Sequence, residues 1–125
     1  DFDDAMSYPK PARSQGIPVH IGGHSRAAAR RAGRLGDGLQ PLGVAGDELS
    51  ALVSAMRESA EAAGRDPDSL ELSLGHLVTK VDAERAGRLA EAGATRLVLG
   101  MPPVTDSGEA RDVLSACAQR LGLIS

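Results

Sequence analysis

From Ile17 onward, apolar positions along the chain switch between two spacings: short runs repeating every second residue, and longer runs returning every three or four. The clearest helical run is the second, where Leu49, Leu52, Val53, Met56, Ala60 and Ala63 share one face, Asp47 stands at the cap and Gly64 follows the end. The first helix is expected over 25–35, with Ser25 capping a free amide of the first turn and Gly36 as a left-handed stop. A third helix runs from Asp82 to a stop at Gly93, burying Ala86, Leu89 and Ala90, and a fourth covers 106–121, burying Ala110, Val113, Leu114, Cys117 and Leu121.

Each helix follows a short β-type run. The strands are expected over 17–21, 38–42, 70–78 and 96–100, the third with Leu70, Leu72 and Leu74 alternating against Glu71, Ser73 and Gly75. Pro102 and Pro103 end the fourth. Residues 1–16, interrupted by Pro9 and Pro11, read as an irregular lead to a domain over 17–125.

Four strand–helix units in a row predict an α/β fold with a parallel sheet, because each crossover helix returns the chain to the same end. Units of about 25–30 residues match those of an eight-unit barrel, so half of a (β/α)8 TIM barrel is the expected architecture. A flavodoxin-like open sheet has the same periodicity and competes with it. Such a half would leave two open edges and one bare face, so a homo-oligomer, most simply a dimer completing the barrel, is expected.

Composition narrows the function classes. The 125 residues carry 14 basic and 17 acidic side chains, a net charge of −3, which gives no general attraction to nucleic acid or anionic membranes. Phe2 and Tyr8 are the only aromatics, so stacking platforms for single-stranded nucleic acid are missing beyond residue 8. No apolar run approaches membrane-spanning length. Cys117 is the single cysteine, which suits a reducing, cytoplasmic setting. The chain opens at Asp1 without a signal peptide pattern and reads as a partial sequence.

One segment carries candidate chemistry. A strand runs into Gly22 and Gly23, then His24, and Ser25 starts a helix. Residues without Cβ let an anion reach the main chain, and a helix N-terminus supplies free N–H donors with a partial positive charge. Ser25 adds a hydroxyl and Arg26 a charge. The alternative is an ordinary capped turn. The spacing is neither a dinucleotide fingerprint nor a P-loop.

Other candidates are weaker. His20 and His24 span a strand end rather than a helix face; with His76 they would give three histidines at the strand mouth, and no metal site is expected from them. Gln40 and Ser73 are strand residues that would point into a barrel mouth, as substrate contacts or hydrogen-bonded filler. Cys117 reads as a small apolar packer, and Arg30, Arg31, Arg34, Glu58, Glu61 and Arg65 as helix surface.

The run from Ile17 through Gly22, Gly23 and Ser25, followed by Ala27-Ala28, Arg30-Arg31-Ala32 and Leu35-Gly36-Asp37-Gly38, resembles the luciferase-like monooxygenase family, F420-using branch. Pro9-Lys10-Pro11, Gly64-Arg65-Asp66-Pro67 and Leu89-Ala90-Glu91-Ala92-Gly93 extend the resemblance over nearly the whole chain. The resemblance implies a (β/α)8 barrel oxidoreductase working with F420 or FMN on a small-molecule substrate. This chain would be its C-terminal half. It further implies that Gly22, Gly23, His24 and Ser25 hold the cofactor phosphate. Catalytic residues are not assigned. Family members often carry an aromatic where His20 and Leu39 stand, and their first four strands bring much of the contact to the cofactor ring. A non-catalytic α/β module that binds a phosphorylated metabolite, or serves as an assembly partner, is the competing reading.

Overall fold

A computed structural model of the chain describes residues 8–12 and 16–124. The expected lead over 1–16 lies largely outside the described residues, and 8–12 form neither helix nor strand. Strands β1 (His20–Gly22), β2 (Gly38–Gln40), β3 (Glu71–Leu77) and β4 (Arg96–Gly100) alternate with helices α1 (Arg26–Leu35), α2 (Gly46–Ala62), α3 (Ala83–Glu91) and α4 (Ser107–Arg120). One 3₁₀ turn, Pro67–Ser69, leads into β3.

Side-chain caps start three of the helices. Ser25, Asp82 and Asp106 accept from amides of the first turn of α1, α3 and α4. Helix α2 differs from expectation: Asp47 lies inside its first turn with Glu48, where both charges meet the positive end of the helix dipole, and Ala45 occupies the cap without a side-chain bond. Gly36 is extended (φ −95°) rather than left-handed. Its lack of a side chain serves packing instead, since a Cβ there would meet Ile21 Cγ1 at 3.0 Å and Val19 O at 3.2 Å.

All strand pairs are parallel, and the order is β1-β2-β3-β4. Sequential order without reversal is the winding of a barrel; a flavodoxin-like sheet reverses around its first strand. Helix placement agrees. Ile21, Leu39, Leu72, Leu74 and Leu97 all join one cluster with Ala29 and Ala32 of α1, Leu52 and Met56 of α2 and Leu89 of α3. Leu97 and Leu99 meet Cys117 and Val113 of α4 in a second cluster. Every helix therefore packs on the same face, and strand alternation turns His20, Gln40, Glu71, Ser73, Leu77, Arg96 and Val98 to the other face. Toward the C-terminal ends of β3 and β4 that inner face is open among the described residues: Leu77 is 46% and Val98 41% exposed.

The outer layer is tight at one end and loose at the other. Helices α1 and α2 touch through Gly33, where an added Cβ would stand 2.1 Å from Met56 O. Toward the β4 edge the helices lack further neighbours, so Ala90, expected inside, is exposed, and Leu114 is 52% exposed. Ala63 likewise stands in solvent as the C-cap of α2. No helix among the described residues is long and apolar enough to cross a membrane.

Candidate cofactor site

The turn between β1 and α1 is built by its two glycines and its cap. Gly23 sits at φ +130°, a region that side chains rarely adopt, and its N–H donates to Gln40 O at 3.2 Å, fastening the turn to the end of β2. Ser25 is extended, its Oγ accepting from Ala28 N (3.2 Å) and its carbonyl from Ala29 N (3.0 Å). Because that Oγ acts as acceptor, its own proton remains available to a ligand. The amides of His24, Ser25, Arg26 and Ala27 take no acceptor among the described residues, and all four residues are exposed. No acidic residue occupies the first turn of α1, so its positive end is uncompensated. A Cβ built on Gly22, two residues before the first of those donors, meets nothing within 4 Å. The four residues expected to form an anion cradle are thus consecutive around one exposed helix start.

A second feature lies beside the turn. An open cleft of about 410 Å³ covers the C-terminal ends of β2, β3 and β4, with Gln40, Gly75, His76, Leu77, Val98 and Gly100 in its walls. Gln40 is therefore at the mouth, as expected. Leu39 points the other way: fully buried under the helices, it cannot meet a ligand in the cleft. The neighbouring loop after β3 is anchored by Arg120 of α4, which donates to Val78 O (2.6 Å) and Val81 O (3.2 Å). Arg65, expected as plain surface, likewise caps the end of α1 by donating to Gly33 O at 2.6 Å.

Ser73 and His20 are not mouth residues. Ser73 is 1% exposed, and its Oγ lies 3.2 Å from His20 Nδ1, deep on the inner face. His20 opens β1, in register with Gly38 and Glu71, so it stands at the opposite end of the strands from His24. Its ring fills the place a Cβ on Gly38 would take, 2.9 Å away. His20 Nε2 lies 3.0 Å from Glu71 Oε2, off the line of a hydrogen bond, and Arg96 Nη2 approaches the same oxygen to 2.7 Å. Sequence reasoning missed Glu71 and Arg96. Their one visible signal was a charged residue opening each of two strands whose other neighbours are leucines. The three histidines are dispersed, and no group of three or more His, Cys, Asp or Glu side chains among the described residues could hold a metal.

The profile of the luciferase-like monooxygenase family matches residues 1–120. The chain belongs to that family. Its luciferase-like relatives include an F420-dependent glucose-6-phosphate dehydrogenase of Mycolicibacterium gilvum, 45% identical over 58 residues, which are 45% of this chain and 17% of that protein. Another of the same description, from Nakamurella multipartita, is 36% identical over 87 residues, 67% of this chain and 25% of that one. An uncharacterised protein of Mycobacterium tuberculosis is 37% identical over 101 residues, 79% of this chain and 33% of the other.

Among solved structures, an F420-dependent secondary alcohol dehydrogenase in complex with an F420–acetone adduct superposes with a TM-score of 0.70 at 21% identity, over 95% of this chain and 52% of that one. The coenzyme F420-dependent tetrahydromethanopterin reductase of Methanopyrus kandleri gives 0.65 at 13% identity, over 89% and 52%. At such identities the likeness establishes the fold: the four units are half of a (β/α)8 barrel. The chain spans about half the length of these two solved proteins and a third or less of the curated relatives named above.

Proposed function

We propose that the turn from Gly22 to Ser25 holds the phosphate of a deazaflavin cofactor, and that the chain supplies this anchor to a barrel oxidoreductase. The observation that carries the reading is the row of four exposed, unpaired amides from His24 to Ala27, preceded by Gly22, where a Cβ would meet nothing within 4 Å. That cradle fits a phosphate: main-chain N–H groups donate, the Ser25 hydroxyl adds a donor, and the α1 dipole favours the negative charge. F420 is preferred to FMN because the named enzymes among the sequence relatives, and both structural neighbours, are described as F420-dependent. When bound, such a cofactor supplies two-electron redox chemistry, while the protein binds and orients it. Gln40, hydrogen-bonded through its carbonyl to Gly23 N, ties the anchor to the mouth and fixes where the cofactor ring is presented. The inner face and both sheet edges require a second half-barrel, and a second copy of this chain supplies one most simply.

Gly22→Val tests the anchor. The new Cβ meets no atom of the protein within 4 Å, and on the proposed reading the added side chain obstructs the anion's approach. One charge-assisted hydrogen bond contributes about 1.5–3 kcal/mol, so losing even one weakens binding roughly tenfold or more. Fluorescence titration should show F420 binding to the native chain, weaker binding of FMN, and at least that loss in Gly22→Val. Unchanged F420 affinity in the variant would remove the turn from the site. Light scattering showing a stable monomer at micromolar concentration would count against the second copy.

A further inference from the structure

A further hollow, apart from the turn, lies on the helix side of the sheet. It is a cavity of about 280 Å³ between the loop after β2 and helix α3, near the lower limit of small-molecule sites, roughly 300–1,000 Å³. Its walls come only from the second and third strand–helix units, so completing the barrel, which covers the inner face and the edges, leaves it open.

The chemistry of its lining is two-sided. Leu49 and Leu74, both nearly inaccessible, form a floor, with Val44 and Leu89 partly buried beside them. Arg85 and Arg88 of α3 stand at the rim. The Arg85 guanidinium has no hydrogen bond or ion pair among the described residues, since Asp82 bonds its backbone amide instead. Arg88 pairs with the exposed Glu84, one helical turn away, and a surface pair of that kind holds its cation weakly. The acidic side chains of the α2 first turn, Asp47 and Glu48, are exposed and outside the lining.

We propose that this cavity binds a small amphipathic organic anion, a compact apolar body with a carboxylate, through the leucine floor and the Arg85–Arg88 rim. The site is independent of the cofactor turn. It shares Gly75 and His76 with the mouth cleft, so an occupant would rest beside that cleft.

The test uses 2-naphthoate as probe and the full chain, followed by amide NMR. Saturable shifts are expected at Val44, Leu49, Arg85 and Leu89, with 2-naphthol, neutral at pH 7, binding at least fivefold more weakly. Arg85→Gln with Arg88→Gln should lower the affinity for 2-naphthoate at least tenfold and leave 2-naphthol unchanged. Both substitutions are at exposed helix positions, and Ala92→Trp, at an exposed residue of the cavity wall, should block both probes. Shifts confined to Leu77 and Val98 would assign binding to the bare inner face and overturn the proposal. Undiminished naphthoate binding in the double variant would do the same. Cofactor titration of these variants separates this outcome from any failure of the turn.

Discussion

Replacing Gly33 by alanine adds one methyl group where α1 crosses α2. The new Cβ would stand 2.1 Å from Met56 O, 2.9 Å from Ser59 Cβ and 3.0 Å from Ala60 N, and two of those three are main-chain atoms that no rotamer change can move. Relief requires the helices to part by about 1.4 Å or more to reach ordinary contact of roughly 3.5 Å. That movement loosens Ala29, Ala32, Met56 and Ala60, and pulls Gly33 O from the Arg65 guanidinium. Overpacking of this kind costs about 1–3 kcal/mol, and a backbone obstacle places it at the upper end. Alanine returns about 1 kcal/mol of helix propensity. The net expectation is a loss of about 2 kcal/mol, out of a total of roughly 5–15 kcal/mol for a domain. Urea unfolding followed by circular dichroism should move the midpoint down with an unchanged slope. Gly87→Ala is the matched control: it lies in α3 with nothing within 4 Å, and should gain up to about 1 kcal/mol. A Gly33→Ala protein as stable as the native one, or two variants shifting in the same direction, would refute the close-crossing argument. The consequence reaches function, because α1 carries the proposed anchor at its start.

Three further outcomes follow from particular contacts. Arg120→Ala removes the charged donor from Val78 O and Val81 O, at about 1.5–3 kcal/mol for each such bond, so hydrogen exchange at the Val81 amide should quicken at least tenfold; an unchanged rate would mean the loop holds itself. The Glu109 carboxyl is held below the usual glutamate range, first by the Thr105 backbone N–H and then by its hydroxyl. A depressed folded value gives stability that is complete above the unfolded value and lost as pH falls through the folded one, so Glu109→Gln should flatten the acid limb of the stability–pH curve, and identical limbs would contradict it. His20→Phe keeps an aromatic ring at the position but strips the buried Ser73 hydroxyl of its ring-nitrogen partner. A loss of about 1–3 kcal/mol in urea unfolding is expected, and a gain would show that the polar chain does not stabilise the inner face.

The candidate site was legible where its chemistry is local. A helix cap, a pair of glycines and the polarity of a helix start are properties of neighbouring residues, so the capped turn from Gly22 to Ser25 could be read directly, while its role toward a phosphate remains the proposal made above. Residues whose roles depend on distant partners were misread. Ser73 and His20 looked like mouth residues until strand register placed them beside each other at the far end of the sheet. Arg65 looked like surface because nothing in its own segment reveals that it reaches a carbonyl more than thirty residues away, as Arg120 also does.

Sequence by itself determined the order of strands and helices, the Ser25 cap, the starts of α3 and α4 near Asp82 and Asp106, and the limits of β4, because spacing and capping act over a few residues. Tertiary structure decided the choice between barrel and open sheet, since strand order and helix side are relations between units that share one periodicity. It also decided which apolar positions are buried. Leu39 and Leu114 are equally hydrophobic; one lies between sheet and helices, and the other, on the outermost helix, has no neighbour among the described residues to cover it.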